Sequence, residues 1–392
     1  MTRERKSSNG LSWFEWRSPD GRLNIELTGE GFLTDPQTEK FRAEFPEESS
    51  FEILVRENCN VYSPPESSVL DLFSDNPKSE EEDLAERLFL VFRKGVISQE
   101  LCEGARLGLK GAARASKNRG VAGGKVDPAK IGRDASTLVP VGDGTRARYI
   151  TKDGILSDTV EANVTMGGIA GFFPATARNP YVRATAYTRD NWKLFQESWP
   201  FLQKMAEIFE RENPLRFSNQ MGFVQKNKLD ERGWVIPGTP YSTVTVNRNF
   251  QTACHQDAGD LKSGFENFSV LEGGTQPYKG CYTVFPKFRV AFDCRQGDFV
   301  GMDVAHHYHG NTPLLPVVEG EEDFERISLV LYVREDLAGA GTQEEEEAKY
   351  QKWRSTWRPP QEQHEYRKGV HEQEAAKDEE FMQEFGESKP QQ

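Results

Sequence analysis

The sequence predicts an α+β protein in which a β-rich region follows a helical one. After Arg216, short β-branched or aromatic runs such as YSTVTVNRNF, CYTVFP and RISLVLYVRE are separated by Gly, Pro and Asn. Many short strands in succession are typical of a β-sandwich or a closed, barrel-like sheet. The chain has 392 residues, of which 36% are hydrophobic, so it can bury one large core or two modest ones.

A helix that packs on this core is predicted just upstream, within TRDNWKLFQESWPFLQKMAEIFEREN. Its apolar residues recur every three or four positions: Trp192, Phe195, Trp199, Leu202, Met205 and Phe209. Pro200 interrupts the pattern. Because proline lacks a backbone donor and clashes with the preceding turn, we expect the helix to be kinked or split there.

The first 95 residues are predicted to be an accessory segment. Alternating apolar stretches in residues 11–58 indicate short strands, with turns at PDG and TGEG. The following stretch, NVYSPPESSVLDLFSDNPKSEEEDLAER, is rich in Ser, Pro and acidic residues. This composition is typical of an acidic, mobile linker.

Residues 96–164 are predicted to form a basic, partly helical region. Ser98 is placed to cap a helix that runs through Leu101 and Leu109, before a Gly/Lys/Arg loop. The segment from Arg106 to Lys152 contains eleven basic residues and only three Asp residues, although the whole chain has a net charge of −13. Such a stretch is either a phosphate-contacting surface or a solvated loop, and composition does not choose between them.

The cysteines, the apolar runs and the two ends of the sequence indicate the cellular compartment that we expect for this chain. The five cysteines have no zinc-like spacing and predict reduced, intracellular thiols. No run approaches ~18 apolar residues, so we expect no membrane span. The basic N-terminus lacks the apolar run of a secretory signal. Residues 339–392 are charged and helix-prone, and we expect them to form a peripheral or disordered tail. We expect an intracellular monomer, nuclear if the source is a eukaryote.

The HQD triplet carries the first candidate metal ligands. His255 and Asp257 are two residues apart, directly after the strand-like TVTVNRNF. Side chains at positions i and i+2 of an extended segment project to the same face. Two His and one carboxylate form a facial triad that suits Fe(II) and its reaction with O₂. HxD is weak evidence without the third ligand, since any polar strand end can produce it.

The third ligand is expected in VAHHYHGNTPL, residues 304–314, which contains three of the six histidines. If residues 303–309 are extended, His307 and His309 share a face with Asp303, while His306 points the other way. This parity does not choose between His307 and His309. A polar strand end without a metal explains the local sequence equally well.

The strand FERISLVLYVRE offers a separate constraint. Arg326 and Ser328 alternate with Ile327 and Leu329, so they would share one face of the strand. An arginine facing an apolar interior needs an anionic partner, and its guanidinium matches the geometry of a carboxylate. The alternative is an edge strand on which Arg326 faces water.

Together these motifs resemble the TET/JBP family of Fe(II)- and 2-oxoglutarate-dependent nucleobase dioxygenases. HQDAGD, then HGNTPL about fifty residues later, then RISLVLY are similar to the family's HxD motif, its His before a TPL triplet and its RISLVFY-like strand. The resemblance covers roughly residues 165–336. It implies a double-stranded β-helix (jelly-roll or cupin-like) core over residues 165–338, flanked by helices. It also implies the co-substrates 2-oxoglutarate and O₂.

Carried over residue by residue, the resemblance implies that His255, Asp257 and His309 bind iron. Arg326 would pair with the distal carboxylate of 2-oxoglutarate, and Ser328 would add a hydroxyl.

Asp260 stands where animal members carry an Asn that contacts the target base, and other members have Asp there. An aspartate accepts from the exocyclic amine of cytosine, which fits cytosine better than thymine. Upstream, Phe173 and Arg183 belong to an aromatic and arginine-rich stretch that is suited to stack a base and hold phosphates. A loop packed under the sheet would explain this stretch equally well.

The resemblance therefore implies base flipping and oxidation of 5-methylcytosine in double-stranded DNA to 5-hydroxymethylcytosine and further products, a step in DNA demethylation. The chain has no counterpart of the Cys-rich, zinc-binding insert of the animal enzymes. An algal branch with similar motifs uses ascorbate and transfers a glyceryl group to 5-methylcytosine. The same motifs also fit a relative that acts on thymine or another methylated base, and a non-enzymatic β-helix module that binds DNA or a small ligand.

Overall fold

The structure is a computed structural model that describes residues 2–7, 10–29, 31–65 and 79–356. Its strands are, in chain order, β1 (Arg3–Lys6), β2 (Ser12–Arg17), β3 (Leu23–Leu27), β4 (Ile53–Val55), β5 (Cys59–Tyr62), β6 (Leu88–Arg93), β7 (Ala115–Ser116), β8 (Leu138–Val141), β9 (Arg146–Tyr149), β10 (Thr165–Phe173), β11 (Arg183–Ala184), β12 (Thr243–Arg248), β13 (Glu266–Gly274), β14 (Tyr278–Gly280), β15 (Thr283–Phe285), β16 (Val290–Phe292), β17 (Phe299–Met302), β18 (Gly310–Asn311), β19 (Leu314–Pro316) and β20 (Phe324–Tyr332). Its helices are α1 (Asp35–Glu39), α2 (Glu80–Arg87), α3 (Gln99–Leu109), α4 (Pro128–Ile131), α5 (Ala186–Asp190), α6 (Trp192–Glu197), α7 (Trp199–Glu212), α8 (Pro214–Lys226) and α9 (Gln343–Ser355).

Two sheets make the core. The larger one contains, in spatial order, the antiparallel strands β17, β13, β20, β12 and β10. The smaller one is ordered β18, β15, β16 and β4. Phe268 of the larger sheet contacts Phe292 of the smaller one, with ring centroids 5.8 Å apart, and both belong to one buried apolar cluster. The predicted jelly-roll core of an α+β protein is therefore confirmed.

The N-terminal strands extend the larger sheet. β6 pairs antiparallel with β17, and β5, β3, β2 and β1 follow outward from it. Every residue of β6 is buried, because side chains from this strand pack into two apolar clusters, with Val91 in one and Leu90 in the other. Strands on both sides of the predicted boundary at residue 95 thus share one sheet. Residues 66–78 of the predicted acidic linker lie outside the described residues.

Helices α3, α6 and α7 share a buried apolar cluster with residues of the larger sheet, such as Val246 and Leu329. Ser98 caps α3 by accepting a hydrogen bond from the Leu101 amide, as predicted. The predicted break near Pro200 is also confirmed, since α6 ends at Glu197 and α7 begins at Trp199. Proline fits the first turn of α7, where the backbone amides have no partner within the helix.

The first part of the predicted C-terminal tail packs against the core. Glu346 in α9 is 2% exposed and accepts from the Val182 and Gly341 amides at 2.7 and 2.8 Å. Residues 357–392 of the predicted tail lie outside the described residues. Within the described chain, no helix combines the length and the apolar character needed to cross a bilayer.

Candidate metal centre and active site

Three side chains of the HQD and HGNTPL motifs meet in one place. The backbones of His255 and His309 exchange two hydrogen bonds of 2.9 Å, and their ring centroids lie 4.4 Å apart. Asp257 Oδ1 is 3.3 Å from His255 Nε2, and its Oδ2 is 3.8 Å from His309 Nε2. One potential ligand atom from each residue lies within 4.8 Å of the others. The structure thus brings the three predicted iron ligands together.

The second ring nitrogen of each histidine is close to a backbone oxygen. His255 Nδ1 lies 2.8 Å from the Ala253 carbonyl, and His309 Nδ1 lies 3.3 Å from the His307 carbonyl. A carbonyl only accepts, so each Nδ1 carries the proton and each Nε2 keeps the lone pair that a metal requires.

The protonation states of Asp257 and His309 suit metal binding. Burial lowers the pKa of His309 to about 4, so the ring is neutral at physiological pH. Burial opposes ionisation of Asp257, but the neighbouring His255 and His309 outweigh it and hold the Asp257 pKa well below its usual range. The carboxylate in turn raises the pKa of His255 against the effect of burial. One anionic and two imidazole donors suit Fe(II).

The backbone that leads to His309 is not extended over residues 303–309 as predicted. β17 ends at Met302, and residues 304–306 form a turn. Because of this turn, strand parity does not apply between Asp303 and His309. His307 instead packs against the rings of Phe89 and Phe288, at centroid distances of 6.0 and 4.8 Å. His309 reaches the ligand group and His307 does not.

Arg326 lies on β20, which is an interior strand between β13 and β12 and not an edge strand. Its side chain is 3% exposed, and no carboxylate of the described residues forms an ion pair with it. Its neighbours include Tyr278 and Cys281, whose pKa values burial raises, so they are uncharged. A buried cation without a counter-ion is costly. Arg326 therefore fits an anionic ligand, and Ser328, 5% exposed, shares its face of the strand.

Two further carboxyl groups stand next to Asp257. Asp260 and Glu266 are 7% and 4% exposed, and their carboxylates lie within 4.8 Å of the Asp257 carboxylate and of each other. Burial and then the Asp257 charge raise the pKa of Asp260 to about 7. Burial and both aspartates raise the pKa of Glu266 well above its usual value. Neither Glu266 oxygen has a hydrogen-bond partner, and the raised pKa favours the protonated, uncharged form of this carboxyl group.

The predicted pair of Phe173 and Arg183 contacts a second arginine, Arg334, through the Phe173 ring. The Arg183 guanidinium lies 5.3 Å from the centre of the Phe173 ring and donates to the Pro174 and Tyr181 carbonyls. Arg183 is therefore held by the protein itself. The Arg334 guanidinium lies 4.4 Å from the centre of the Phe173 ring. The backbone of Arg334 pairs with that of Asp260 in an isolated antiparallel bridge. Phe173 is thus linked to Asp260.

Sequence reasoning missed Arg334, Arg119 and Glu266. Arg334 donates to the Tyr332 hydroxyl at 2.9 Å. The alternating pattern of β20, extended by two residues beyond Tyr332, would have identified Arg334 as a residue on the same face. Arg119 lies near Asp257 and Tyr332 and donates to the Gly168 carbonyl at 2.7 Å. A Cβ on Gly167 would lie 2.6 Å from Arg119 Nε, so this glycine makes room for the arginine. Nothing in the sequence marks Arg119 or Glu266.

An open cavity of about 350 Å³ gives access to this cluster. It is lined by His255, Asp257 and Asp260, and at its rim by Arg42 and Val121. This volume is within the usual range for small-molecule sites. The cavity therefore connects the ligand group to the surface.

Comparison with known proteins finds a family match over part of the chain. Residues 171–335 match the family Tet_JBP, described as the oxygenase domain of the 2OGFeDO superfamily. The chain is 32% identical over 206 residues to the bifunctional helicase and thymine dioxygenase JBP2 of Leishmania tarentolae, covering 52% of this chain and 17% of the relative. It is 30% identical over 177 residues to the thymine dioxygenase JBP1 of Leishmania braziliensis, covering 44% and 20%. The chain thus spans a fifth or less of these relatives.

Two solved structures of oxygenases align with much of the chain at low TM-scores. NgTET1 in complex with 5mC DNA has a TM-score of 0.44 and 11% identity, covering 76% of this chain and 86% of that one. An oxidoreductase of the 2OG-Fe(II) oxygenase family from Burkholderia pseudomallei has a TM-score of 0.32 and 13% identity, covering 72% and 94%. Residues 171–335 are thus similar to the Tet_JBP oxygenase domain of the 2OGFeDO superfamily, and the superfamily's cofactors Fe(II), 2-oxoglutarate and O₂ fit the ligand group of His255, Asp257 and His309.

Proposed function

We propose that this chain oxidises the methyl group of 5-methylcytosine in double-stranded DNA to 5-hydroxymethylcytosine, with 2-oxoglutarate as co-substrate. The observation that carries the proposal is Asp260, a buried carboxylate beside Asp257 in the cavity. Cytosine presents an exocyclic amine, which donates to a carboxylate, whereas thymine presents a carbonyl oxygen at the same position. An ionised Asp260 therefore favours cytosine.

The base has to enter the cavity outside the helix stack, because a stacked methyl group cannot reach a buried ligand group. Phe173 and Tyr332 supply ring faces on either side of the Arg334 guanidinium, which lies 4.4 and 5.2 Å from their centres. Aromatic and guanidinium faces are suited to hold an unstacked base. These residues would orient the base while Asp260 reads its edge.

His255, Asp257 and His309 would hold the iron, and Arg326 with Ser328 would hold the distal carboxylate of 2-oxoglutarate. When bound, the iron and its co-substrate supply the oxidation of an unactivated C–H bond by O₂. The buried, unpaired charge of Arg326 supports a dicarboxylate co-substrate over ascorbate. Burial of the Arg326 and His309 side chains also keeps bulk water away from the reacting groups.

Thymine is a second candidate substrate, supported by two observations. The curated relatives at 30–32% identity are thymine dioxygenases. Burial also raises the pKa of Asp260 to about 7, so a protonated form exists near neutral pH. A protonated Asp260 donates to the thymine carbonyl oxygen, and the ionised form accepts from the cytosine amine. The ionised form of Asp260 therefore favours cytosine and the protonated form favours thymine.

The test compares kcat/KM for two duplexes that carry 5-methylcytosine or thymine at the same position. Asp260→Ala should lower the 5-methylcytosine to thymine ratio by about tenfold, the effect of losing one good edge contact. Glu335→Ala, which removes an exposed carboxylate from the same cavity, serves as the matched control. The proposal fails if Asp260→Ala binds iron normally and leaves this ratio unchanged.

A further inference from the structure

The structure divides the basic stretch between Arg106 and Lys152 into two groups. Five of its basic side chains pair with carboxylates, and these are Arg106 and Lys110 with Glu325, Lys117 and Arg133 with Glu161, and Lys125 with Glu44. Among the described residues, Arg146 and Arg148 form no ion pair with any carboxylate. Six of the eleven basic side chains form no ion pair among the described residues, and two of these six lie on one strand, β9.

β8 and β9 form a two-stranded hairpin that stands apart from the core sheets. Val139 pairs with Arg148 and Val141 with Arg146, so these four side chains share one face. Val139 and Val141 are 39% and 40% exposed, and Arg146 is exposed as well. On the opposite face, Ala147 is 2% exposed. The outward face therefore combines apolar and unpaired cationic side chains.

The turn of this hairpin is fixed at the rim of the active-site cavity. Asp143 in the turn accepts from Arg42 at 2.8 Å, and Arg42 lines the cavity together with His255. The Val126 amide donates to the Gly144 carbonyl at 2.9 Å, which ties the turn to the loop that carries Val121. A ligand bound on the hairpin would therefore be adjacent to the cavity mouth.

We propose that the β8–β9 face binds the DNA duplex that flanks the flipped nucleotide. Arg146 and Arg148 would contact phosphates, and Val139 and Val141 would pack against the sugars or the groove wall. This inference rests on the proposed action on DNA. It is supported by charge complementarity, because a chain with a net charge of −13 repels a polyanion except where unpaired basic groups are gathered. A two-stranded ribbon also has the width that a DNA groove admits.

The test is salt-dependent binding of an unmethylated duplex to the full chain loaded with Fe(II), without 2-oxoglutarate and oxygen. Arg146→Gln/Arg148→Gln should lower the slope of log K against log salt by about 1.8, since each phosphate contact contributes about 0.9. Arg146→Lys/Arg148→Lys should retain the slope. Arg17→Gln/Lys94→Gln is the matched control, because it removes the same charge from the end of β2 and from the residue after β6, neither of which lines the cavity.

Val139→Ser/Val141→Ser should weaken binding without a change in slope, because it removes no charge. The proposal is overturned if Arg146→Gln/Arg148→Gln has the same slope as the parent or the control. It is also overturned if sedimentation shows a dimer that Val139→Ser/Val141→Ser dissociates while DNA binding is unchanged, since the face would then join two copies.

Failure of the proposed function gives a different result from failure of this inference. Duplex binding that depends on Arg146 and Arg148, with no product from methylated DNA, would remove the function and keep the surface. If the parent forms product but its duplex binding does not depend on Arg146 and Arg148, the proposed function is retained and the proposed surface is rejected.

Discussion

His307 and His309 are two residues apart but have different surroundings. His309 meets His255 and Asp257, whereas His307 is enclosed by the rings of Phe89 and Phe288. We predict that His309→Ala abolishes iron binding, measured as bound iron after anaerobic dialysis. His307→Ala should retain iron and lower the melting temperature, because it leaves a cavity between two rings. Iron loss in His307→Ala alone would contradict the ligand assignment.

Arg326 is predicted to determine co-substrate affinity. In Arg326→Met, the dissociation constant for 2-oxoglutarate should rise about 30- to 150-fold, which corresponds to losing about 2–3 kcal/mol of charge-assisted hydrogen bonding. Calorimetry under anaerobic conditions measures this constant with the iron-loaded protein. Arg248→Met on the neighbouring strand β12 is the control, because Arg248 already pairs with Glu325 at 3.7 Å. Unchanged affinity in Arg326→Met would exclude Arg326 as the carboxylate partner.

At the scale of single residues, part of the site could be predicted from the sequence. HxD, the histidine before NTPL and the Arg-x-Ser pair are local patterns, so their residues were identified before their distances were known. Glu266 was missed because its role depends on contact with Asp257 and Asp260 across the fold. Arg119 was missed for the same reason, since it reaches the site from a segment more than a hundred residues upstream of His255.

Among the elements, the turn before His309 depends on one buried ion pair. Asp303 is 4% exposed, accepts from Arg216 Nη2 at 3.2 Å and lies 2.7 Å from His306 Nδ1. Arg216→Met should lower the free energy of unfolding by about 3–5 kcal/mol, because it leaves a buried carboxylate without its cation. Urea denaturation measures this loss. Lys226→Met at the C-terminal end of the same helix should change stability little, and an equal loss there would contradict the explanation.

Helix α9 is the second element whose position depends on one side chain. Glu346 accepts from the Val182 and Gly341 amides, and Tyr350 in the same helix packs on Tyr181 with a ring distance of 5.1 Å. Glu346→Ala leaves both amides without this acceptor. We predict faster hydrogen exchange in α9 and in residues 181–184, with exchange in the larger sheet unchanged. Glu347→Ala, one residue along the helix, should leave exchange as it is.

Elements set by local chemistry were predictable, and those set by distant pairing were not. Ser98 capping and the break before Pro200 follow from side chains within a few residues. Residues 304–306 were predicted to be extended but form a turn. The sequence does not show this turn, because an ion pair between Asp303 and Arg216 of a distant helix stabilises it. The pairing of β6 with β17 joins segments about two hundred residues apart, and no local pattern marks it.

For the molecule as a whole, the two-sheet core positions the site and the flanking segments shape its approach. β20 carries Arg326 and Tyr332 on a central strand, while the ligand histidines lie on connections outside the regular strands. Residues from before the core contribute to the site, because Arg42 and Val121 line the cavity and Arg119 lies near Asp257. The accessory region is therefore part of the site in space, although the family match begins at residue 171.

The most direct test of this account is the product that the purified chain makes from duplex DNA containing both 5-methylcytosine and thymine. Fe(II), O₂ and either 2-oxoglutarate or ascorbate are supplied, and the digested nucleosides are measured by mass spectrometry. We predict 5-hydroxymethylcytosine that depends on 2-oxoglutarate and is absent in His309→Ala. Oxidation of thymine without 5-methylcytosine, or turnover with ascorbate as the only co-substrate, would contradict the account.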